Sequence, residues 1–361
     1  MARRLLPLDS LRGIAAVVVV LQHALTPSGG LPDSLPRTAV MIFFVLSGYV
    51  LSIPWIEGRP PAWSSYAIRR ICRLWPPVAV AVLASLVLYS MTDVHARPVD
   101  GWWQQPVTPL ALVRCLLLTG QEACVFVPPS WSLVFEARAS MLFPLLALFV
   151  VTRPRFMLAI AVVFGFLFEI KAYVAGIYPE PMCAAHFATG LLLTSHFTAL
   201  FVFGALLARR VHTEQDWFTA SKSVVLLVAS ALLAIPHSDT LKGVGAVLLL
   251  LTIIGSPAVR TVLMFAPFRW LGRVSYSLYV IHWPVMLFVF YHIGGPGTLA
   301  GLLLALLACG IAAEGMHRWV EAPSIRLGKW LSGYSDQAAI PPRKARHNRS
   351  WVNGIAGSSR P

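Results

Sequence analysis

The chain has 361 residues, of which 57% are hydrophobic and only 12% are charged, and its mean hydropathy is +0.71. This composition excludes a soluble globular protein of that size and predicts an all-α, polytopic bundle of transmembrane helices. The net charge of +14 would suggest a nucleic-acid partner in a soluble chain. In a membrane protein the charge follows from topology instead, so no nucleic-acid partner is expected.

The first apolar segment carries two ionisable residues at a defined spacing. Asp9 or Ser10 suits the N-cap of a helix, and Arg12 and His23 follow, eleven residues apart. That spacing places both side chains within about 20° of one helix face and roughly 16 Å apart along the axis. One interpretation is an arginine that reaches the lipid headgroups and a histidine satisfied by a neighbouring helix. The other is a functional pair, because ionisable residues inside a membrane mark functional sites.

The apolar runs predict about ten membrane spans, and all but the seventh and eighth are near the length that crosses about 30 Å of hydrocarbon. The predicted bounds are 11–27, 38–54, 74–91, 131–151, 156–172, 190–208, 223–236, 242–256, 274–293 and 298–318. With the amino terminus inside, 22 of the 29 arginines and lysines lie on the inner side, five lie outside, and Arg12 and Arg138 lie in spans. This bias predicts that both termini are cytoplasmic.

The domain organisation follows from the same pattern. Residues 1–332 are predicted to form one transmembrane domain, and residues 333–361 a basic, disordered cytoplasmic tail. Cys115 and Cys124 lie in the predicted outer loop 92–130 and can pair if that loop faces an oxidising compartment. The five cysteines show no CxxC spacing, so no metal site is expected.

The predicted inner loop 55–73 ends in a compact basic cluster of Arg69, Arg70 and Arg73. Guanidinium groups match phosphate oxygens with two parallel hydrogen bonds, and Arg69 and Arg73 share a helix face. The cluster predicts a site for an anionic cytosolic ligand. The alternative is that it reflects only the excess of basic residues in cytoplasmic loops.

A carboxylate and an imidazole are predicted at similar depths in the membrane. Glu136 lies roughly 8 Å below the outer surface in the fourth span, and His23 lies about 18 Å above the inner surface. In a core of about 30 Å these depths differ by only a few ångströms, so the two groups could form a charge-assisted pair that tunes His23 as a base. Arg138 is the alternative partner of Glu136 and would make this carboxylate structural.

Two spans carry polar residues at helical spacing. Ser275, Tyr279 and His282 recur at i, i+4 and i+7 and form a polar stripe on the ninth span. Such a stripe either joins helices by hydrogen bonds or lines a substrate cavity. Ser47 and Gly48 in the second span are typical of close helix packing.

Six motifs together resemble the acyltransferase-3 family of integral-membrane acyltransferases, and the resemblance runs from about residue 7 to residue 330. The motifs are Arg12 followed after ten residues by His23, Phe43-Phe44 with Ser47-Gly48-Tyr49, Arg70 with Arg73, Trp131-Ser132-Leu133 with Glu136, Ser275-Tyr276 with Tyr279, His282 and Pro284, and Glu321 with Pro323. The resemblance implies a multi-pass enzyme of a bacterial inner membrane. It would move an acyl group, most often acetyl from acetyl-coenzyme A, to a hydroxyl of a carbohydrate or a related cell-envelope or secondary-metabolite acceptor.

The resemblance also implies residue roles and partners. Acyl-coenzyme A, the acceptor and membrane lipids are the expected partners, and the coenzyme A phosphates would be held by Arg69, Arg70 and Arg73. His23 would act as a general base or accept the acyl group transiently, and Glu136 would orient it or tune its charge. Arg12, placed with these two among the catalytic residues, would assist with the phosphates from the first helix. The residues implied in substrate binding are Ser47, Tyr49, Trp131, Tyr276, Tyr279 and His282. The alternative function, a transporter or flippase without covalent chemistry, predicts inverted repeats, and the sequence shows no such duplication.

Overall fold

The computed structural model describes residues 6–26, 29–92, 108–119, 126–174, 187–293, 295 and 297–338. Within these residues every regular element is a helix, which confirms the predicted all-α class. The α-helices of this part of the chain are α1 (Leu6–Leu25), α2 (Ser34–Ile56), α3 (Trp63–Ser90), α4 (Pro109–Leu116), α5 (Trp131–Thr152), α6 (Pro154–Val174), α7 (Phe187–Arg210), α8 (Ala220–Ala234), α9 (Asp239–Gly255), α10 (Pro257–Leu263), α11 (Ala266–His292), α12 (Leu299–Met316) and α13 (Ala322–Ala338).

Most of these helices have the length and composition of membrane spans. Among the described residues, eight helical segments are long and apolar enough to cross a bilayer. Helices α9 and α10 form a further candidate that is bent by 97°, and α8 is a shorter apolar helix of 15 residues. The predicted polytopic bundle is therefore confirmed. The count of ten spans and the inward orientation of the termini stay predictions.

Glycines bring two pairs of helices into backbone contact. A Cβ atom on Gly13 of α1 or on Gly272 of α11 would overlap the main chain of the other helix. The same reciprocal contact joins Gly48 of α2 to Gly204 of α7. Helices in a membrane associate through van der Waals packing, which small residues make possible at close range. These contacts fix α1 against α11 and α2 against α7, the arrangement on which the candidate site is built.

The basic segment before the third span is helical, and the loop between α2 and α3 is shorter than predicted. Helix α3 begins at Trp63, so only residues 57–62 separate it from α2. Two other helices hold its first turns. The Tyr66 hydroxyl donates to the carbonyl of Ser140 in α5 (2.8 Å), and Ser65 Oγ donates to the carbonyl of Ser332 in α13 (3.2 Å). Contact with α5 and α13 therefore orders a segment that its charge assigns to a loop.

The last predicted span does not end near residue 318. Helix α12 continues through a π-helical turn, His317–Glu321, directly into α13. The turn places the Glu321 carboxylate inside the bundle, where it accepts hydrogen bonds from Ser277 Oγ (2.7 Å) and His317 Nδ1 (3.0 Å). Residues 333–338 of the predicted tail belong to α13, and residues 339–361 lie outside the described residues.

Among the described cysteines, one takes part in a disulfide. Cys115 on α4 is disulfide-bonded, whereas Cys72 and Cys309 are free thiols. Cys124 lies outside the described residues, so the pairing of Cys115 with Cys124 stays a prediction. Helix α4 contacts α3 through Trp75, whose indole nitrogen donates to the carbonyl of Leu116 (2.9 Å).

A buried charge cluster joins α2, α7 and α9. Arg37 makes two hydrogen bonds to the carboxylate of Asp239, at 2.6 and 2.7 Å, and the Asp239 side chain is fully buried. His196 Nε2 lies 3.6 Å from the same carboxylate. Since a buried ion requires its partner, the cluster fixes the relative position of the three helices.

Replacement of Asp239 by asparagine is expected to lower the free energy of unfolding by about 3–5 kcal/mol, because it leaves the Arg37 guanidinium buried without its counter-charge. Thermal or denaturant unfolding of the purified protein in detergent measures this change. Asp216→Asn is the control. It removes a carboxylate that pairs with Arg260 but is 71% exposed, and its expected cost is below about 1 kcal/mol. Equal effects of the two substitutions would contradict the assigned role.

Candidate active site

A cavity lies between α1, α2, α3, α5 and α11, and we call it the main cavity. Its apolar wall includes Phe43, Phe44, Leu46 and Leu133. Its polar lining residues are Arg12, Ser47, Arg70, Arg73, Ser132, Glu136, Ser275, Tyr276 and Tyr279. The main cavity thus brings together residues from five segments that the sequence analysis assigned to one site.

A second cavity adjoins the first between α2, α3 and α13, and we call it the basic vestibule. Its apolar lining includes Pro54 and Trp55, and its charged lining residues are Arg69, Arg70, Arg73 and Lys329. No aspartate or glutamate is among the described residues that line it. It shares Val50, Leu51, Arg70 and Arg73 with the main cavity, so the two cavities adjoin at these side chains.

The three clustered arginines have different surroundings. Arg70 is buried, and its Nη2 donates to Glu136 Oε1 (2.9 Å) and to Ser140 Oγ (2.6 Å). Arg69 is exposed at the opening, and its Nε donates to Ser332 Oγ (2.6 Å). Their shared position in the vestibule agrees with the predicted cluster, but Arg70 also serves as the counter-ion of Glu136.

Among the three clustered arginines, Arg73 is the one whose guanidinium has no protein partner in the described part of the chain. It lines both cavities, and no hydrogen bond or ion pair joins its side chain to another residue in the described part of the chain. Arg70 and Arg12 are its cationic neighbours, and the carboxylates of Glu136 and Glu321 lie close enough to act on its charge. A guanidinium in this position can offer its donors to an anion.

The predicted pair of Glu136 and His23 is wrong. Besides Arg70, the Glu136 carboxylate contacts Ser47 Oγ (3.5 Å) and makes no contact with His23 among the described residues. Arg138 is not its partner either, since it donates to Thr194 Oγ1 and to the carbonyl of Thr119. The predicted depth of Glu136 assumed that α5 begins at the outer membrane surface. Residues 128–130, which precede α5, are themselves buried. Glu136 therefore lies deeper in the bundle, level with the arginines.

Arg12 and two tyrosines close the main cavity. Arg12 pairs with Asp9, and its Nε donates to Ser275 Oγ (3.1 Å). The Tyr276 hydroxyl donates to the carbonyl of Leu74 (2.7 Å). The Tyr279 hydroxyl donates to the carbonyl of Pro129 (3.0 Å) and lies 2.7 Å from Ser132 Oγ. These bonds hold the tyrosine rings in place as walls of the cavity.

His23 lies beyond these walls, at the far end of α1. Its ring stacks on that of His282, with 5.5 Å between the ring centroids, and meets Trp283 edge to face at 4.8 Å. Because Arg12 contacts Ser275 and His23 contacts His282, α1 and α11 run parallel. His23 is not among the residues that line the main cavity. It lies roughly 16 Å from Arg12 along the helix axis.

Tyr49 and Trp131, which were predicted to bind substrate, are not among the residues that line the main cavity, and neither is His282. Tyr49 is fully buried, and its hydroxyl donates to the carbonyl of Val211 (3.0 Å). Trp131 packs against the rings of Phe135 and Phe197. Both make contacts between helices in the described structure.

Sequence reasoning missed two residues that lie at the site. Lys329 of α13 lines the vestibule, and Oγ of Ser140 on α5 accepts a hydrogen bond from Nη2 of Arg70. The spacing of Ile325 and Lys329, four residues apart after Pro323, was the available signal, because it places an apolar and a basic side chain on one helix face.

Comparison with known proteins assigns these features to a family. The family described as an acyltransferase domain matches residues 6–314. The acyltransferase MdmB of Streptomyces mycarofaciens is 27% identical over 325 residues, which cover 81% of this chain and 82% of MdmB. The O-acetyltransferase OatA of Staphylococcus aureus is 24% identical over 96% of this chain and 61% of its own length.

A further relative has a name that states its substrate. The peptidoglycan O-acetyltransferase OatA of Listeria monocytogenes is 24% identical over 93% of this chain. The chain spans about three fifths of the length of the two OatA proteins, 61% and 58%. No solved structure matches the chain significantly.

Proposed function

Because this chain belongs to the acyltransferase-3 family and is therefore a membrane acyltransferase, we propose that it takes an acyl group, in the first instance acetyl, from acyl-coenzyme A. The acceptor is a hydroxyl group of a carbohydrate. The observation that carries the donor assignment is the basic vestibule, where four cationic side chains and no described carboxylate surround the opening of a deeper cavity.

The vestibule has the chemistry that a nucleotide phosphate requires. The vestibule offers the planar guanidinium groups of Arg69 and Arg73 and the ammonium group of Lys329. Arg73 has no protein partner in the described structure. Hydrogen bonds between guanidinium groups and phosphates are short and charge-assisted. The apolar side chains of Pro54 and Trp55 provide a surface beside the cations for the less polar parts of the donor.

The separation of the arginines from His23 suits a donor that is charged at one end and reactive at the other. Arg12 and His23 are roughly 16 Å apart on α1. Coenzyme A carries its phosphates and its thioester at opposite ends of a long, thin pantetheine arm. With the phosphates in the vestibule, the arm would occupy the main cavity as far as Phe43 and Tyr279, and the Tyr279 side chain would have to turn aside for the thioester to reach His23. Phe43 and Tyr279 lie edge to face there, 5.4 Å between centroids.

The acceptor is proposed from the names of relatives. The Listeria relative is named for peptidoglycan, a carbohydrate polymer, and both OatA proteins are named O-acetyltransferases. A sugar hydroxyl is therefore the acceptor class for this chain, with peptidoglycan fragments as the first acceptors to test. Sugars of secondary metabolites are the next class of acceptors to test.

His23 is proposed to contact the reacting atoms. A neutral imidazole there can take the proton of the acceptor hydroxyl or carry the acyl group between donor and acceptor. Glu136 does not tune His23 directly, because it is engaged with Arg70. Its role in this proposal is to hold Arg70 in place at the boundary between vestibule and cavity.

The test is acyl transfer by the purified protein in nanodiscs, with radiolabelled acetyl-coenzyme A and a panel of sugar and peptidoglycan-fragment acceptors. The expected result is release of free coenzyme A thiol with formation of an equal amount of acetyl ester, and both depend on the acceptor. A folded protein that neither binds nor consumes acetyl-, succinyl- or longer acyl-coenzyme A would overturn the donor assignment. Turnover with non-carbohydrate acceptors alone would overturn the acceptor assignment.

A further inference from the structure

His282 is a buried histidine whose tautomer is set by its surroundings. Its Nδ1 lies 3.1 Å from the carbonyl oxygen of Leu278 and 2.9 Å from that of Tyr279. Carbonyl oxygens only accept hydrogen bonds, so the neutral imidazole carries its hydrogen on Nδ1. The second ring nitrogen, Nε2, then presents a lone pair.

That lone pair has no partner in the described structure. The His282 side chain is completely buried, and its Nε2 makes no hydrogen bond. The indole Nε1 of Trp283, which is also buried, has no acceptor either. Both side chains contact the ring of His23. An unsatisfied buried donor or acceptor destabilises the folded protein, and two of them around one imidazole call for an explanation.

The other members of the same polar stripe differ from His282 in this respect. Ser275 Oγ donates to the carbonyl of Gly272 and accepts from Arg12. The Tyr279 hydroxyl is bonded to Ser132 and Pro129. Helix-joining hydrogen bonds therefore account for the first two residues of the stripe, but they leave Nε2 of His282 unexplained.

Two groups beside His23 thus lack a partner: the acceptor Nε2 of His282 and the donor Nε1–H of Trp283. They are complementary to the two groups that meet in acyl transfer. The acceptor hydroxyl donates a hydrogen bond, and the acyl carbonyl oxygen accepts one. We propose that His282 is a second catalytic histidine, whose Nε2 takes the proton of the acceptor hydroxyl, while the indole N–H of Trp283 donates to the acyl carbonyl oxygen. This inference rests on the proposed function and adds the acceptor side of the site.

The step balances without any further reactant. The acceptor oxygen bonds to the acyl carbonyl carbon as its proton moves to Nε2 of His282. Negative charge that develops on the carbonyl oxygen is stabilised by the Trp283 indole N–H. The acyl group reaches this step bonded to a ring nitrogen of His23, which has displaced the coenzyme A thiol. The bond between that nitrogen and the acyl carbon then breaks, and the proton returns from the His282 imidazolium to His23, so an ester and the free histidine form. The carbonyls of Leu278 and Tyr279 hold the Nδ1–H and stabilise the imidazolium, the role that a carboxylate plays in a Ser-His-Asp triad.

Two substitutions separate the nitrogens of His282. In His282→Asn the amide nitrogen can occupy the position of Nδ1 and keep the bonds to the helix carbonyls, but nothing replaces Nε2. In His282→Gln the terminal amide reaches the position of Nε2, where it can hydrogen-bond but cannot take a proton. Both variants are expected to lose kcat for transfer by about 10²- to 10⁴-fold, with little change in the dissociation constant of acetyl-coenzyme A. A Trp283→Phe variant, which keeps a ring against His23, is expected to lose about 10²-fold.

The control is His292→Asn, which replaces an exposed histidine of the same helix that bonds to Thr92. It is expected to transfer at the wild-type rate. Thermal unfolding and donor binding are measured for every variant, so that loss of fold is recognised, and Trp283→Phe keeps the test open if a His282 variant does not fold. A near wild-type rate in a folded His282 variant overturns this inference and leaves the proposed function standing. Absence of transfer in the wild-type protein overturns the proposed function itself.

Discussion

Replacement of Arg73 by alanine is expected to raise the dissociation constant of acetyl-coenzyme A by about 10- to 100-fold, because a hydrogen bond to a charged group contributes about 1.5–3 kcal/mol. Arg73 lines both the vestibule and the main cavity and has no hydrogen-bond or ion-pair partner in the described part of the protein. Its loss therefore removes a contact to the ligand while no hydrogen bond or ion pair of the described protein is broken. Calorimetric titration of the protein in nanodiscs measures the affinity, and thermal unfolding should show an unchanged midpoint.

Three matched variants make this prediction specific. Arg153→Ala removes an exposed arginine from the loop between α5 and α6 and should leave donor affinity unchanged, although the net charge changes equally. Arg73→Lys keeps the charge but loses the fork geometry, so an intermediate affinity is expected. Arg70→Ala should lower stability as well as affinity, because it leaves the Glu136 carboxylate without its counter-ion. Equal affinities of Arg73→Ala and the wild-type protein would place the donor phosphates elsewhere.

The contrast between Arg70 and Arg73 shows what the sequence could predict about the vestibule. The cluster itself is visible as three arginines within five residues before an apolar run. Which of them is occupied by a protein partner depends on α5 and α13, which lie far away in the chain. The Ser140 and Ser332 contacts of Arg70 and Arg69 could not be deduced from spacing. Lys329 was missed for the same reason, because contact between α13 and α3 places it at the opening.

Spacing was reliable within a helix and unreliable between helices. The expectation that Arg12 and His23 share a face of α1 agrees with the structure, since both contact α11. The expectation that Glu136 lies beside His23 failed, because equal depth does not imply contact and the depth estimate assumed that α5 starts at the membrane surface. Residues 128–130 enter the bundle before α5 begins. A prediction from helical rise alone has no means of detecting such a buried turn.

Replacement of His23 by glutamine is expected to reduce kcat for acyl transfer by about 10²- to 10⁴-fold, the usual contribution of a positioned acid–base group. Donor affinity should be nearly unchanged, because His23 lines neither the main cavity nor the vestibule. The expected pattern is therefore the opposite of that for Arg73→Ala, which weakens binding. The control is His237→Gln, which replaces an exposed histidine in the loop before α9.

The pH dependence of the wild-type protein tests the same assignment independently. A protonated imidazole can accept neither a proton nor an acyl group, so transfer should fall at acidic pH once the histidines of the site become protonated. If kcat, with chemistry limiting the rate, stayed constant down to the pH at which the protein unfolds, neither role could be kept. Because His23 and His282 are stacked, the acidic limb of the profile belongs to the pair rather than to one ring.

Acid-quenched single turnovers separate the two roles of His23. A labelled acyl-protein that forms before ester and is absent in His23→Gln indicates acyl transfer through His23, whereas direct formation of ester indicates base catalysis.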